Sequence, residues 1–211
     1  MKKIITANFN DTLNQLFYDV LTSKDYELII QTKFDDTILA VESVRPDYVF
    51  VRANLGFDIA GIDLCRQIRS KPESHTKCVV LFSQEIQLIL PALFTDISGY
   101  LYENTDSDEI ELCLQRLSTG ERYINPAMFK AMRNPKIAKY KKFIAPLTAR
   151  EKDIFRYLGY GYSNKKIADT LFTCIKTVET HKFNIVQKLE LKNMADLREI
   201  TTTLLVDQDL E

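Results

Sequence analysis

The chain has 211 residues, with 28 Lys/Arg against 29 Asp/Glu and two histidines. That length suffices for one or two domains with sizeable cores, and the balanced charge excludes a uniformly basic or acidic chain. No apolar run approaches the roughly 18 residues of a membrane span, and the Met1-Lys2-Lys3 start lacks the apolar stretch of a signal peptide.

The charge is unevenly spread. Residues 1–120 hold 11 Lys/Arg and 18 Asp/Glu, whereas residues 136–198 hold 14 Lys/Arg and 6 Asp/Glu. An acidic front and a basic back predict two domains, the second facing a polyanion. The four cysteines, Cys65, Cys78, Cys113 and Cys174, show no paired spacing. No metal site or cofactor is expected from them, and reduced thiols in a cytoplasm fit this usage.

In chain order, Ile4–Ala7 reads as a strand followed by a helix around Thr12–Leu21. Leu28–Gln31 is a second strand, with a helix near Thr37–Ser43. Tyr48–Val51 is a third, entered through Pro46-Asp47, with a helix around Ile62–Arg69. Cys78–Phe82 is a fourth, with a helix near Ile86–Leu93. Gly99–Tyr102 is a fifth, with a helix around Ser107–Leu117 that Gly120 closes. Five strand–helix repeats in residues 1–120 predict a doubly wound (βα)5 domain with buried parallel strands. Residues 121–145 read as a linker with a helix at Ala127–Met132, and residues 146–211 as an all-α domain.

Three helical patterns dominate that last domain: Thr148–Gly159, Ser163–Leu171 and Ile175–Leu189. Thr148 and Glu151 fit a capping box, and Ser163 caps the next helix. Val178, Ile185 and Leu189 share one face of the third helix, opposite Lys176, Glu179, Thr180, Lys182, Phe183 and Gln187. A compact trihelical unit with a polar, basic third helix is the build of a helix that enters a DNA groove. Lys165, Lys176, Lys182 and Lys188 are expected on phosphates, with Glu179, Thr180 and Phe183 as base readers. Each lysine taken alone also reads as a solvated helix residue. His181 reads as a packing residue in preference to a metal ligand. No nucleophile–base pair, phosphate loop or metal cluster suggests an enzyme.

Several motifs make the pattern specific. Leu147-Thr148-Ala149-Arg150-Glu151, Ser163-Asn164-Lys165-Lys166-Ile167-Ala168, Lys176-Thr177-Val178-Glu179-Thr180-His181 and Lys188-Leu189 resemble the LuxR/NarL-type helix-turn-helix. The resemblance implies a four-helix DNA-binding domain with Met194–Leu204 as the fourth helix, usually working as a dimer. It adds Asn164 and Thr177 to the expected DNA-binding set. The implied partners are double-stranded DNA, a second copy of the chain, and RNA polymerase or a regulatory protein. Cys174 stands where the family commonly has a capping Ser, and a thiol is a poor cap.

The front half resembles a response-regulator receiver, a flavodoxin-like domain, through Pro46–Val51, Ser83 and Gly99–Tyr102. Such receivers hold a divalent metal on two acidic residues and phosphorylate an Asp beside a Ser/Thr and a Lys. Here the acidic pair aligns with Asn8 and Phe9, the phosphoacceptor with Arg52 and the lysine with Glu103, leaving only Ser83 and the aromatic Tyr100. The expectation is a degenerate receiver without a phosphorylation switch. Arg52 and Glu103 are expected either to form an ion pair or to have drifted independently. One alternative is a conventional response regulator using a displaced carboxylate, Asp11 or Asp58, although both also fit as cap or loop residues. Another is a protein-binding adaptor with weak DNA affinity.

Overall fold

The computed structural model describes all residues except 23, 54–59, 72–73, 84–96, 134 and 207–211. The helix expected near Ile86–Leu93 and the carboxylate Asp58 lie outside the described residues. The chain forms two compact units, Met1–Met132 and Arg133–Glu211.

In the first unit six parallel strands take the order β2-β1-β3-β4-β5-β6. They are β1 Lys2–Ala7, β2 Tyr26–Gln31, β3 Tyr48–Arg52, β4 Lys77–Phe82, β5 Gly99–Tyr102 and β6 Tyr123–Ile124. Among the described residues the helices here are α1 Asp11–Thr22, α2 Phe34–Val44, α3 Ala60–Arg69, α4 Ser107–Ser118 and α5 Pro126–Met132. Val49, Phe50 and Val51 in β3 and Val79, Val80 and Leu81 in β4 have no exposed surface. Strands flanked by partners on both edges and helices on both faces read as such continuous apolar runs. One layer of the core gathers Ile4, Leu13, Phe17, Phe50, Leu81, Leu101, Ile110 and Leu114.

The order reverses at β1, which lies between β2 and β3. In open parallel sheets the crevice at the carboxyl ends of such neighbouring strands is where function collects. Asn8, Phe9, Arg52, Ser83 and Glu103 all fall at those ends. Gly61 brings α3 against this edge, because a Cβ there would lie 1.9 Å from the carbonyl oxygen of Arg52.

The structure corrects the expected boundary. Residues 121–132 are not linker: Tyr123 and Ile124 pair with Gly99 and Tyr100 as a sixth strand. Glu109 of α4 pins this strand, accepting hydrogen bonds from the Tyr123 hydroxyl at 3.0 Å and from the Asn125 amide at 2.6 Å. The Thr105 hydroxyl donates to its other oxygen at 2.9 Å. Asn125 in turn caps α5 by accepting from the backbone of Ala127 and Met128. A two-residue strand carries no periodicity, so only pairing reveals it.

The second unit comprises α6 Pro135–Phe143, α7 Ala149–Gly159, α8 Asn164–Thr170, α9 Ile175–Lys188 and α10 Met194–Val206. Ile154, Phe155, Ile167, Ala168, Val178, Ile185 and Leu197 form its core. The second half of the expected linker belongs here as α6, whose Tyr140 and Phe143 rings pack on Phe155 at 6.3 and 6.4 Å.

Candidate nucleic-acid interface and the receiver-like edge

The capping box opens α7. Thr148 accepts from the Glu151 amide, and the Glu151 carboxylate accepts from the Thr148 amide at 2.8 Å. The same carboxylate takes the Lys188 ammonium at 2.7 Å, tying the end of α9 to the start of α7. Burial opposes ionisation of Glu151, but the Lys188 ammonium and the Thr148 donors outweigh it and hold its pKa below the ordinary value. Arg150 donates to the carbonyl of Leu171, which ends α8. The turn then passes through Phe172 at φ +50°, in the left-handed region, and that side chain is 86% exposed. The Glu151–Lys188 pair therefore ties the end of α9 to α7, and the Arg150–Leu171 bond holds the turn that leads into it.

On α9 the helical repeat separates two faces. Val178, Lys182, Ile185 and Val186 are buried. Lys176, Glu179, Thr180, Phe183 and Gln187 are exposed, at spacings of three, four, seven and eleven from Lys176. That spacing makes a single ridge about the width of a groove-reading face. Lys165 of α8 is also exposed, and Asn164 is partly so. The Thr180 hydroxyl donates to the Lys176 carbonyl at 3.0 Å.

Lys182 and Lys188 stand apart from the expected phosphate contacts. Lys182 is only 8% exposed, and its ammonium donates to the Asn164 side-chain oxygen at 3.0 Å. Burial, then the nearby Arg198 charge, lower its pKa against the opposing Glu179. Lys188 is engaged by Glu151. The signal was present in the spacing: Lys182 lies four residues after Val178 and three before Ile185, on the margin of the apolar stripe. His181 is partly buried, with Nδ1 shielded and unbonded.

Cys174 occupies the N-cap of α9 and makes no side-chain bond to the helix backbone. Its sulfur instead lies 3.1 Å from the Thr177 hydroxyl. That hydroxyl, followed by the amides of Thr177 and Lys176, lowers the thiol pKa. Thr177 is partly exposed, with its hydroxyl in contact with this sulfur.

At the receiver-like edge, Arg52 and Glu103 meet. Nε and Nη2 of Arg52 donate to the two oxygens of Glu103, both at 2.8 Å. The side chains are 30% and 19% exposed. This parallel fork is the strongest geometry a guanidinium and a carboxylate adopt. Phe9 is 7% exposed and stacks edge-on with Phe17, which stacks in the same way with Phe50. Asn8 adopts φ +59°, with a buried side-chain nitrogen that has no bonding partner. Ser83 follows β4 and is partly exposed, and Asp11 is exposed on the first turn of α1. A divalent metal needs hard oxygen ligands. A phenyl ring, a paired guanidinium and one carboxamide do not fit that need.

The fold joins a receiver-like parallel α/β unit to a helical unit that carries the exposed α9 ridge. Residues 145–200 match the family described as bacterial regulatory proteins, luxR family. The chain is similar to the oxygen regulatory protein NreC of Staphylococcus aureus, at 25% identity over 207 residues. That alignment spans 93% of this chain and 95% of the relative. Its fold is similar to RcsB from Salmonella enterica serovar Typhimurium bound to promoter rprA in the presence of phosphomimetic BeF3−. There the TM-score is 0.63 and identity 17%, over 96% of this chain and 98% of that one. A structure of the two-component response regulator RcsB–DNA complex matches with TM-score 0.57 and 19% identity, over the same shares.

Proposed function

We propose that this protein is a cytoplasmic transcription regulator that binds double-stranded DNA as a homodimer and acts without aspartyl phosphorylation. The observation that carries the DNA reading is the exposed α9 ridge. Lys176 and Lys165 supply phosphate contacts, and Glu179, Thr180 and Phe183 face the bases. Glu179 accepts from a cytosine amino group, and Phe183 meets a thymine methyl. In this reading Lys182 and Asn164 set the crossing of α8 and α9, Lys188 holds α9 to α7, and none of the three is a primary phosphate contact. The two complexes of RcsB with DNA support duplex DNA as the ligand.

The independence from phosphorylation rests on the Arg52–Glu103 fork. A guanidinium replaces the nucleophilic carboxylate and is already neutralised, and Phe9 fills the place of a metal-binding acid. The first unit then serves as a constitutive scaffold or as a docking domain for RNA polymerase or a regulatory protein. The protein does no chemistry of its own.

Two measurements test this. Fluorescence anisotropy with genomic DNA fragments should give salt-dependent binding that Lys176→Glu weakens strongly. Incubation with acetyl phosphate and Mg²⁺ should leave the mass and the DNA affinity unchanged. A phosphoryl adduct on Asp11, Asp58 or another carboxylate would establish the conventional response regulator instead.

A further inference from the structure

The segment from Arg133 to Arg150 contains six Lys/Arg and no Asp/Glu. Its helix, α6, precedes the stretch matched by the LuxR family description. It is nevertheless part of the second unit, because Tyr140 is 5% exposed and packs with Phe143 on Phe155 of α7. Ile144 and Leu147 continue that buried line to the Thr148 cap. The other side of α6 presents Lys139, Lys141 and Lys142, all exposed. Among the described residues no carboxylate pairs with these three lysines.

Two other cations of this unit are engaged within it, whereas Lys165 and Lys176 are exposed like the three on α6. Lys188 is held by Glu151, and Arg150 by a carbonyl oxygen. Three unneutralised ammonium groups on one short helix repel one another, and a folded domain gains nothing from that repulsion. The arrangement becomes favourable when a polyanion approaches. Duplex DNA carries about one charge per 1.7 Å of axis, so a rigid helix with several lysines can meet successive phosphates.

We propose that α6 is a second DNA-contacting element, in which Lys139, Lys141 and Lys142 engage backbone phosphates beyond those met by α8 and α9. The contact is electrostatic and independent of base sequence, and it enlarges the footprint of the helix-turn-helix toward its flank. This inference rests on the reading that the protein binds DNA.

The test uses the full chain and a mixed-sequence duplex, so no operator need be known. The slope of log affinity against log salt reports the number of phosphates neutralised, at about 0.9 per contact. The variant Lys139→Gln/Lys141→Gln/Lys142→Gln should keep its circular dichroism spectrum and melting temperature while its slope falls by about 1 to 2.5. Replacing the same three residues by Arg should retain the slope. Removing charge elsewhere, with Lys3→Gln/Lys33→Gln, should leave the slope unchanged. An unchanged slope in the triple variant, alongside a reduced slope in Lys176→Gln, overturns the role of α6 and leaves the DNA reading intact. A wild-type chain with no salt-dependent binding overturns both.

Discussion

Cutting the Arg52–Glu103 fork should loosen the strands that carry it. The perturbation is Arg52→Met, Glu103→Met and their combination, each of which keeps most of the aliphatic bulk. The fork has two hydrogen bonds of 2.8 Å between side chains 30% and 19% exposed. Fully exposed pairs contribute about 0.2–1 kcal/mol, and net hydrogen bonds to charged groups about 1.5–3 kcal/mol. A half-buried bidentate pair falls between these, giving a coupling of about 1–2 kcal/mol. Each single variant leaves a charge stranded, so its loss should match or exceed that figure, and the double variant should be little worse than either single. The chain has two units, so one global unfolding free energy would mix them. Hydrogen exchange of the full chain, read on peptides covering Tyr48–Arg52 and Gly99–Tyr102, isolates the strands concerned. Each single variant should speed exchange there about tenfold, since about 1.4 kcal/mol is a factor of ten. Strictly additive effects, with the double variant exchanging about a hundredfold faster, would show that the two residues do not act as a pair.

Other consequences can be checked separately. Lys182→Met should weaken specific DNA binding while leaving the salt slope where it is, because the ammonium braces Asn164; a slope lowered by about 0.9 would instead make Lys182 a phosphate contact. Phe172→Gly should raise the melting stability of the second unit by about 0.5–1 kcal/mol, since glycine adopts φ +50° without a Cβ penalty; a lower stability would mean that the exposed ring makes an internal contact. Glu151 has a folded pKa below its unfolded one. Its stabilisation is therefore fully present above the ordinary carboxyl range and is lost as pH falls through the lower folded value. Glu151→Gln should destabilise the second unit at neutral pH and flatten its acid limb, and an acid limb as steep as in the parent would refute that assignment.

The sequence by itself determined the first five strands and the described helices of the first unit, the capped helices of the second and the two faces of α9. These follow from apolar periodicity and from caps whose partners lie three residues away, as at Thr148 and Glu151, so a local window contains the whole cause. It also put Asn8, Phe9, Arg52 and Glu103 where a receiver keeps its chemistry. Only the tertiary structure decided what those residues do there. Whether Arg52 and Glu103 meet depends on two strand ends 51 residues apart in the chain. The sixth strand exists because Glu109 and the edge of β5 receive it, and α6 joins the second unit because Phe155 offers a surface for two rings. Lys182 is the clearest case. Its charge placed it on a ligand-facing surface, but its position beside Val178 and Ile185 carried it inward, where Asn164 of another helix makes burial affordable. Charge is a property of the residue, whereas exposure is a property of everything packed around it.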